Sequence, residues 1–138
     1  MKFLIFVVFC MLLLVACNSP EGYPEVYEEY EREEMIRSRR ITASQARGLM
    51  EKYPNAIILD VRNDQEFYTG HIPGAILLPE FEIGERYQDI LKDKYQLILV
   101  YCRSGVRSRN ATNLLLSLGF VNVYDFGGII HWPYDVTR

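Results

Sequence analysis

From Thr42 onward, short apolar runs alternate with stretches in which apolar residues recur every three or four positions. Ala46, Leu49, Met50 and Tyr53 mark one face of a helix, with a Thr42/Gln45 capping-box pattern at its start and Pro54 as its stop. Residues 56–61, AIILDV, read as a short buried strand, followed by Arg62 and a polar turn at Asn63 and Asp64. Gln65 to Thr69 has room for one helical turn. Gly70, His71, Ile72, Pro73 and Gly74 form a loop rich in breakers. Ala75 to Leu78 is a second apolar strand. Ile83, Tyr87, Ile90 and Leu91 give the next helical face. Residues 97–101, LILVY, are a third strand. Ala111, Leu114, Leu115 and Leu118 then return at helical spacing, and Gly119 is a natural C-terminal stop. Val121 to Tyr124 reads as the last strand. Gly127 and Gly128 precede a short final segment, Ile129 to Tyr134.

Short, continuously apolar strands alternating with helices predict an α/β domain with a mostly parallel sheet. In such sheets the working crevice lies beyond the carboxyl ends of the strands. Asp60 and Cys102 both fall at strand ends. Cys102 opens the stretch CRSGVRS, between the apolar run and the helical pattern. Backbone N–H groups of a tight loop can form an anion-binding nest, and the following helix N-terminus adds positive potential. Arg103 and Arg107 bracket the loop with permanent charge. All three effects favour a thiolate over a thiol. The bland alternative is a buried structural thiol, but two arginines and a glycine are poor core material.

Composition changes the picture at the N-terminus. Phe3 to Ala16 is an unbroken apolar run of fourteen residues after Lys2. A membrane span needs about 20, so the run fits the apolar region of a secretory signal. Leu14, Val15, Ala16 and Cys17 resemble the lipobox of bacterial lipoproteins. That resemblance implies a signal peptide over 1–16, a lipid on Cys17, and a protein held on the extracytoplasmic side of a bacterial cell membrane. Residues 17–40 are rich in Glu and Arg without a sustained apolar stripe and read as a solvated tether. Residues 41–138 form the domain. Cys102 is then its only free thiol, so a disulfide scaffold is excluded. Without residues 1–16 the chain holds 14 basic and 18 acidic residues, net −4, which argues against a nucleic-acid partner.

Four stretches resemble the single-domain rhodaneses, which are sulfurtransferases: LDVR (59–62), EFYTGHIPGAI (66–76), YCRSGVRS (101–108) and FGGIIHW (126–132). The resemblance implies a rhodanese-like α/β fold, a five-stranded parallel sheet flanked by helices on both faces, with the active loop after a central strand. It also implies Cys102 as nucleophile, taking sulfane sulfur from a small anionic donor such as thiosulfate, or from a persulfide. A thiol or cyanide would then accept that sulfur. Arg103, Ser104, Gly105, Val106, Arg107 and Ser108 would form the substrate-binding loop around the persulfide. Four residues separate Cys102 from Arg107. The phosphatases related to this fold have five, a larger cradle suited to phosphate, and the shorter loop suits one added sulfur.

Asp60 and Arg62 are candidate loop supports; their alternative is turn capping and an i, i+4 ion pair from Arg62 to Glu66. His71 reads as a turn residue bonded to backbone. His131 and Trp132 are expected to pack the last segment on the sheet. No pair of His or Cys has metal-ligand spacing, and neither metal nor cofactor is expected. Two other functions share these residues: a persulfide carrier or redox-responsive binding module without efficient turnover, and phosphatase-like or arsenate-reducing chemistry.

Overall fold

A computed structural model of the chain describes residues 39–138. The expected signal segment, Cys17 and the tether up to residue 38 lie outside the described residues. The described chain runs α1 (Ala43–Lys52), β1 (Ile57–Asp60), α2 (Asp64–Thr69), β2 (Ile76–Leu77), α3 (Ile83–Ile90), β3 (Ile98–Cys102), α4 (Val106–Ser117) and β4 (Val123–Gly128). Short 3-10 turns sit at Glu80–Glu82 and Ile129–His131. Among the described residues, no helix is long and apolar enough to cross a membrane.

The strands pair in parallel in the order β2-β1-β3-β4. Side-chain alternation along them sorts the core into two layers. Leu59, Val61, Ile98, Val100, Cys102 and Val123 face α3 and α4, meeting Ile83, Ala111 and Leu115. Leu99, Tyr101 and Phe126 point the other way, toward Ala46 of α1 and toward Trp132. Helices therefore cover both faces, and β3, central and fully buried, delivers Cys102 at its carboxyl end.

The sheet has four strands among the described residues, not the five that the resemblance implies. Beside β4, where a fifth would lie, pairing shrinks to one bridge between Arg40 and Asp125. The Ile41 N–H donates to the Asp125 carbonyl at 2.9 Å, and the Asp125 N–H donates to the Arg39 carbonyl at 2.8 Å. Arg39, the first described residue, sits at φ 53°, in the left-handed region. The last strand is also displaced from the apolar pattern. It begins at Val123 and continues through Asp125 to Gly128.

Local chemistry explains the helix starts. Thr42 caps α1 in a reciprocal box with Gln45, as the pattern predicts. Asn63 caps α2 in the same way with Glu66, so that helix begins at Asp64. Trp132 packs into the second core layer, whereas His131 stays exposed.

One core position carries a polar cost. Thr112 of α4 is 2% exposed, and its hydroxyl has no hydrogen-bond partner among the described residues. An unmade buried hydrogen bond costs about 1–3 kcal/mol. Thr112→Val keeps the shape and removes the hydroxyl, so it should stabilise the fold by about 1 kcal/mol. A higher urea midpoint at an unchanged slope is the expected reading.

Candidate active site

Cys102 ends β3, and residues 103–105 turn the chain into α4. Gly105 makes this turn possible. It precedes the helix at φ 107°, where a side chain would be strained. Its N–H donates to the Cys102 Sγ at 3.0 Å. No side chain caps α4, so the first-turn N–H groups, orphaned by helix geometry, remain available to an anion above the sulfur. Cys102 is 1% exposed and belongs to the apolar layer beneath the loop. Of the substrate-loop residues, Arg103, Ser104 and Val106 are exposed, Arg107 is half-buried, and Gly105 and Ser108 are buried.

The loop rests on the end of β4. Register slips by one residue there: Val100 pairs with Asp125, but Cys102 pairs with Gly128. The bulge is taken up at Gly127, at φ 90°. A Cβ on Gly128 would stand 2.3 Å from the Arg103 carbonyl oxygen and 2.6 Å from the Ser104 Cα. Only glycine lets the two backbones approach this closely. The Ile130 N–H then donates to the Arg103 carbonyl at 3.3 Å.

Under the first turn of α4 lies a buried polar chain. The Cys102 thiol donates to the Ser108 Oγ at 3.6 Å. Ser108 donates to the Asp125 Oδ1 at 2.6 Å, and the Gly127 N–H donates to the same oxygen at 2.8 Å. The Arg40 Nη1 lies 3.4 Å from the other carboxylate oxygen. Ser108 and Asp125 are 0% and 3% exposed.

Arg107 reaches across to α2. Its Nη1 and Nη2 each donate to Glu66 at 2.8 Å, a bidentate pair. The expected Arg62–Glu66 pair gives way to this one. Arg62 instead grips Asp60, with Nε at 2.9 Å and Nη2 at 2.6 Å, and donates to the Gly70 carbonyl at 2.8 Å. The Ile72 N–H donates to the Tyr101 hydroxyl at 3.1 Å. Burial, then Asp60, pushes the Tyr101 phenol well above its usual range. Asp60 and Arg62 thus lie on the layer opposite Cys102, tying the residue before it to the Gly70–Ile72 loop. His71 accepts its turn role: its Nδ1 meets the Phe67 carbonyl at 3.0 Å, and its ring stacks on Phe67.

Asp125, Arg40 and the Glu66 partner of Arg107 are functional neighbours that sequence reasoning missed. A carboxylate inside an apolar strand, two residues before a glycine pair, is the signal that marks Asp125. Arg40 and Glu66 carry no such signal, since their partners are 85 and 41 residues away. A groove of about 940 Å³, lined by Leu49, Tyr53, Leu97 and Tyr124, opens at the opposite end of the strands and shares no residue with the loop.

The Glu66–Arg107 pair links the site to acid stability. Hydrogen bonds from Arg107 outweigh burial and hold Glu66 at about 2, against an ordinary 4.5. A carboxyl depressed on folding stabilises the fold above its unfolded value, and that contribution is lost as pH falls through the folded one. The stability advantage of the wild type over Glu66→Gln should therefore be full above pH 4.5 and shrink toward pH 2. Urea midpoints of both proteins across that window provide the measurement.

The comparisons agree with this geometry. The rhodanese-like domain family matches residues 42–132. The tRNA uridine(34) hydroxylase of Hamiltonella defensa is 40% identical over 88 residues, which are 60% of this chain and 25% of that protein. The chain thus spans about a quarter of the length of the curated relatives it matches. A rhodanese-related protein from Thermoplasma volcanium is 32% identical, with a TM-score of 0.61, covering 72% of this chain and 97% of that one. A rhodanese from E. coli, solved with anions, is 29% identical, with a TM-score of 0.57, covering 60% and 98%. The match over residues 42–132, carried on a parallel sheet with helices on both faces and Cys102 at the head of its loop, makes this chain a member of the rhodanese-like family.

Proposed function

We propose that the protein is a sulfurtransferase that carries sulfur as a Cys102 persulfide. The observation that supports this most is the Gly105 N–H aimed at the Cys102 Sγ, at the head of an uncapped helix. Such a site stabilises negative charge on, or one atom beyond, the sulfur. In the first step the Cys102 thiolate attacks the outer sulfur of a donor such as thiosulfate. A new S–S bond forms, the donor's S–S bond breaks, and sulfite leaves with its electron pair. In the second step cyanide or a thiol attacks the outer sulfur, and Cys102 is released as thiolate. This is covalent catalysis with ping-pong kinetics.

Arg103, exposed at the rim, is suited to drawing in an anionic donor. Arg107 adds charge near Cys102, although Glu66 holds its guanidinium. The four-residue spacing from Cys102 to Arg107 speaks against phosphate chemistry. A second reading uses the same Cys102: a carrier that hands its persulfide to a protein partner with little turnover on small acceptors. The hydroxylase name belongs to much longer relatives, and the part shared with them is this domain. The lipobox-like stretch supports attachment to the extracytoplasmic side of a bacterial membrane through lipid on Cys17.

Exposure of the full chain to thiosulfate should add the mass of one sulfur, and cyanide should then remove it as thiocyanate. Cys102→Ser should abolish both, and activity above about a tenth of wild type would defeat the mechanism. Mass gain without thiocyanate would select the carrier reading. Cys17→Ala should release the protein from membranes, and retention there would overturn the lipid anchor.

A further inference from the structure

We propose that Asp125, acting through Ser108, is a positioning residue that keeps the resting Cys102 sulfur protonated, with Arg40 as the counter-charge that limits this effect. The inference rests on the reading of Cys102 as the sulfur carrier and adds a control over its reactivity.

The argument starts from a count of protons. Ser108 has one hydroxyl proton and two candidate acceptors, the Asp125 Oδ1 at 2.6 Å and the Gly127 carbonyl at 3.3 Å. The shorter, charge-assisted bond to Asp125 takes it. What Ser108 then turns toward Cys102 is a lone pair, which suits a thiol and opposes a thiolate. The Asp125 carboxylate behind it is a buried like charge, which opposes ionisation again. The Gly127 N–H and Ser108 both bind the same carboxylate oxygen, so Asp125 is fixed in this role.

Opposing groups are also in place. The Gly105 N–H favours the thiolate. From α4 and the loop, Arg107 and the exposed Arg103 do the same, the first muted by Glu66, with Glu80 also near Arg107. From the segment before α1, Arg40 lies against Asp125 and cancels part of its charge. Leu59, Val61 and Ile83, from β1 and α3, are apolar. A lone thiol at a binding site is prone to oxidation in its anionic form. Holding it as a thiol until a donor binds protects it.

The test is a pH titration of thiolate ultraviolet absorbance on the full chain, with Cys102→Ser subtracted so that Cys102 alone is read. Asp125→Asn keeps both hydrogen bonds to Oδ1 and removes the charge. Its titration midpoint should fall by about one pH unit, a tenfold change in the thiol–thiolate ratio. Arg40→Gln should move the midpoint upward, and Arg40→Lys should restore the wild-type value. A merely structural role predicts shifts of one sign for both Asp125→Asn and Arg40→Gln, and that result overturns the proposal. An unchanged or raised midpoint in Asp125→Asn overturns it as well, whatever Arg40→Gln does. No sulfur donor enters the titration. Failure of sulfur transfer with the midpoints moving as stated would therefore defeat the sulfurtransferase reading and leave the electrostatic control standing.

Discussion

Everything at the carboxyl end of the sheet depends on two backbones lying closer than side chains allow. The Arg103–Ser104 segment presses onto Gly128, where a Cβ would stand 2.3 Å from a carbonyl oxygen. That contact holds the turn after β3 flat against β4. The turn in turn delivers the Gly105 N–H to the sulfur and starts α4 directly above it. The fourth family stretch, FGGIIHW, thus determines where the donors around the Cys102 sulfur point. The register slip between β3 and β4 has the same origin. One extra residue on β4 brings Gly128 rather than Gly127 opposite Cys102 and leaves Gly127 in the left-handed region.

The regular pairing just before the slip places a carboxylate under the helix. Asp125 shares a face with Val100 and Val123 in an otherwise apolar layer. A buried carboxylate is costly unless it is bonded and paired. It is satisfied here from three directions: Ser108 above, the Gly127 N–H beside it, and Arg40 at the sheet edge. The short pairing of residues 39–41 with β4 gains a reason from this. It is too brief to be a strand, yet it positions Arg40 against Asp125 and beside Gly105 and Gly127. A vestige of sheet becomes a charge partner.

The fold was legible because its signals are local. The helix cap at Thr42, the apolar run of β3 and the glycine stop after α4 act within a few residues, whereas the Asn63 cap was read as a polar turn. The strand number was not legible, because among the described residues the pairing beside β4 comes down to one bridge, Arg40 with Asp125, which no periodicity encodes. The end of β4 was misplaced for a related reason. An acid and two glycines look like the close of a strand when the groups that satisfy the acid lie on α4 and before α1. In the site, the loop residues could be named from CRSGVRS alone. Their partners could not. Arg62 was expected to pair with Glu66 at i, i+4, but the short path to Asp60 and the Gly70 carbonyl is better satisfied. Glu66 is thereby freed for an arginine 41 residues away.

Two buried carboxylates therefore lie on opposite sides of one strand end. Asp60 fixes the backbone from below. It binds Arg62, which lies over the Tyr101 ring, so the residue before Cys102 is held by a network that faces away from the sulfur. Asp125 lies on the nucleophile's own side, one hydroxyl removed. Had the structural carboxylate also faced the sulfur, two like charges would oppose its ionisation. Alternation along β1 and β3 prevents this: Leu59 and Val61 face Cys102, and Asp60 between them cannot. The period of a β-strand separates the carboxylate that ties down the strand end from the one that reaches the sulfur through Ser108.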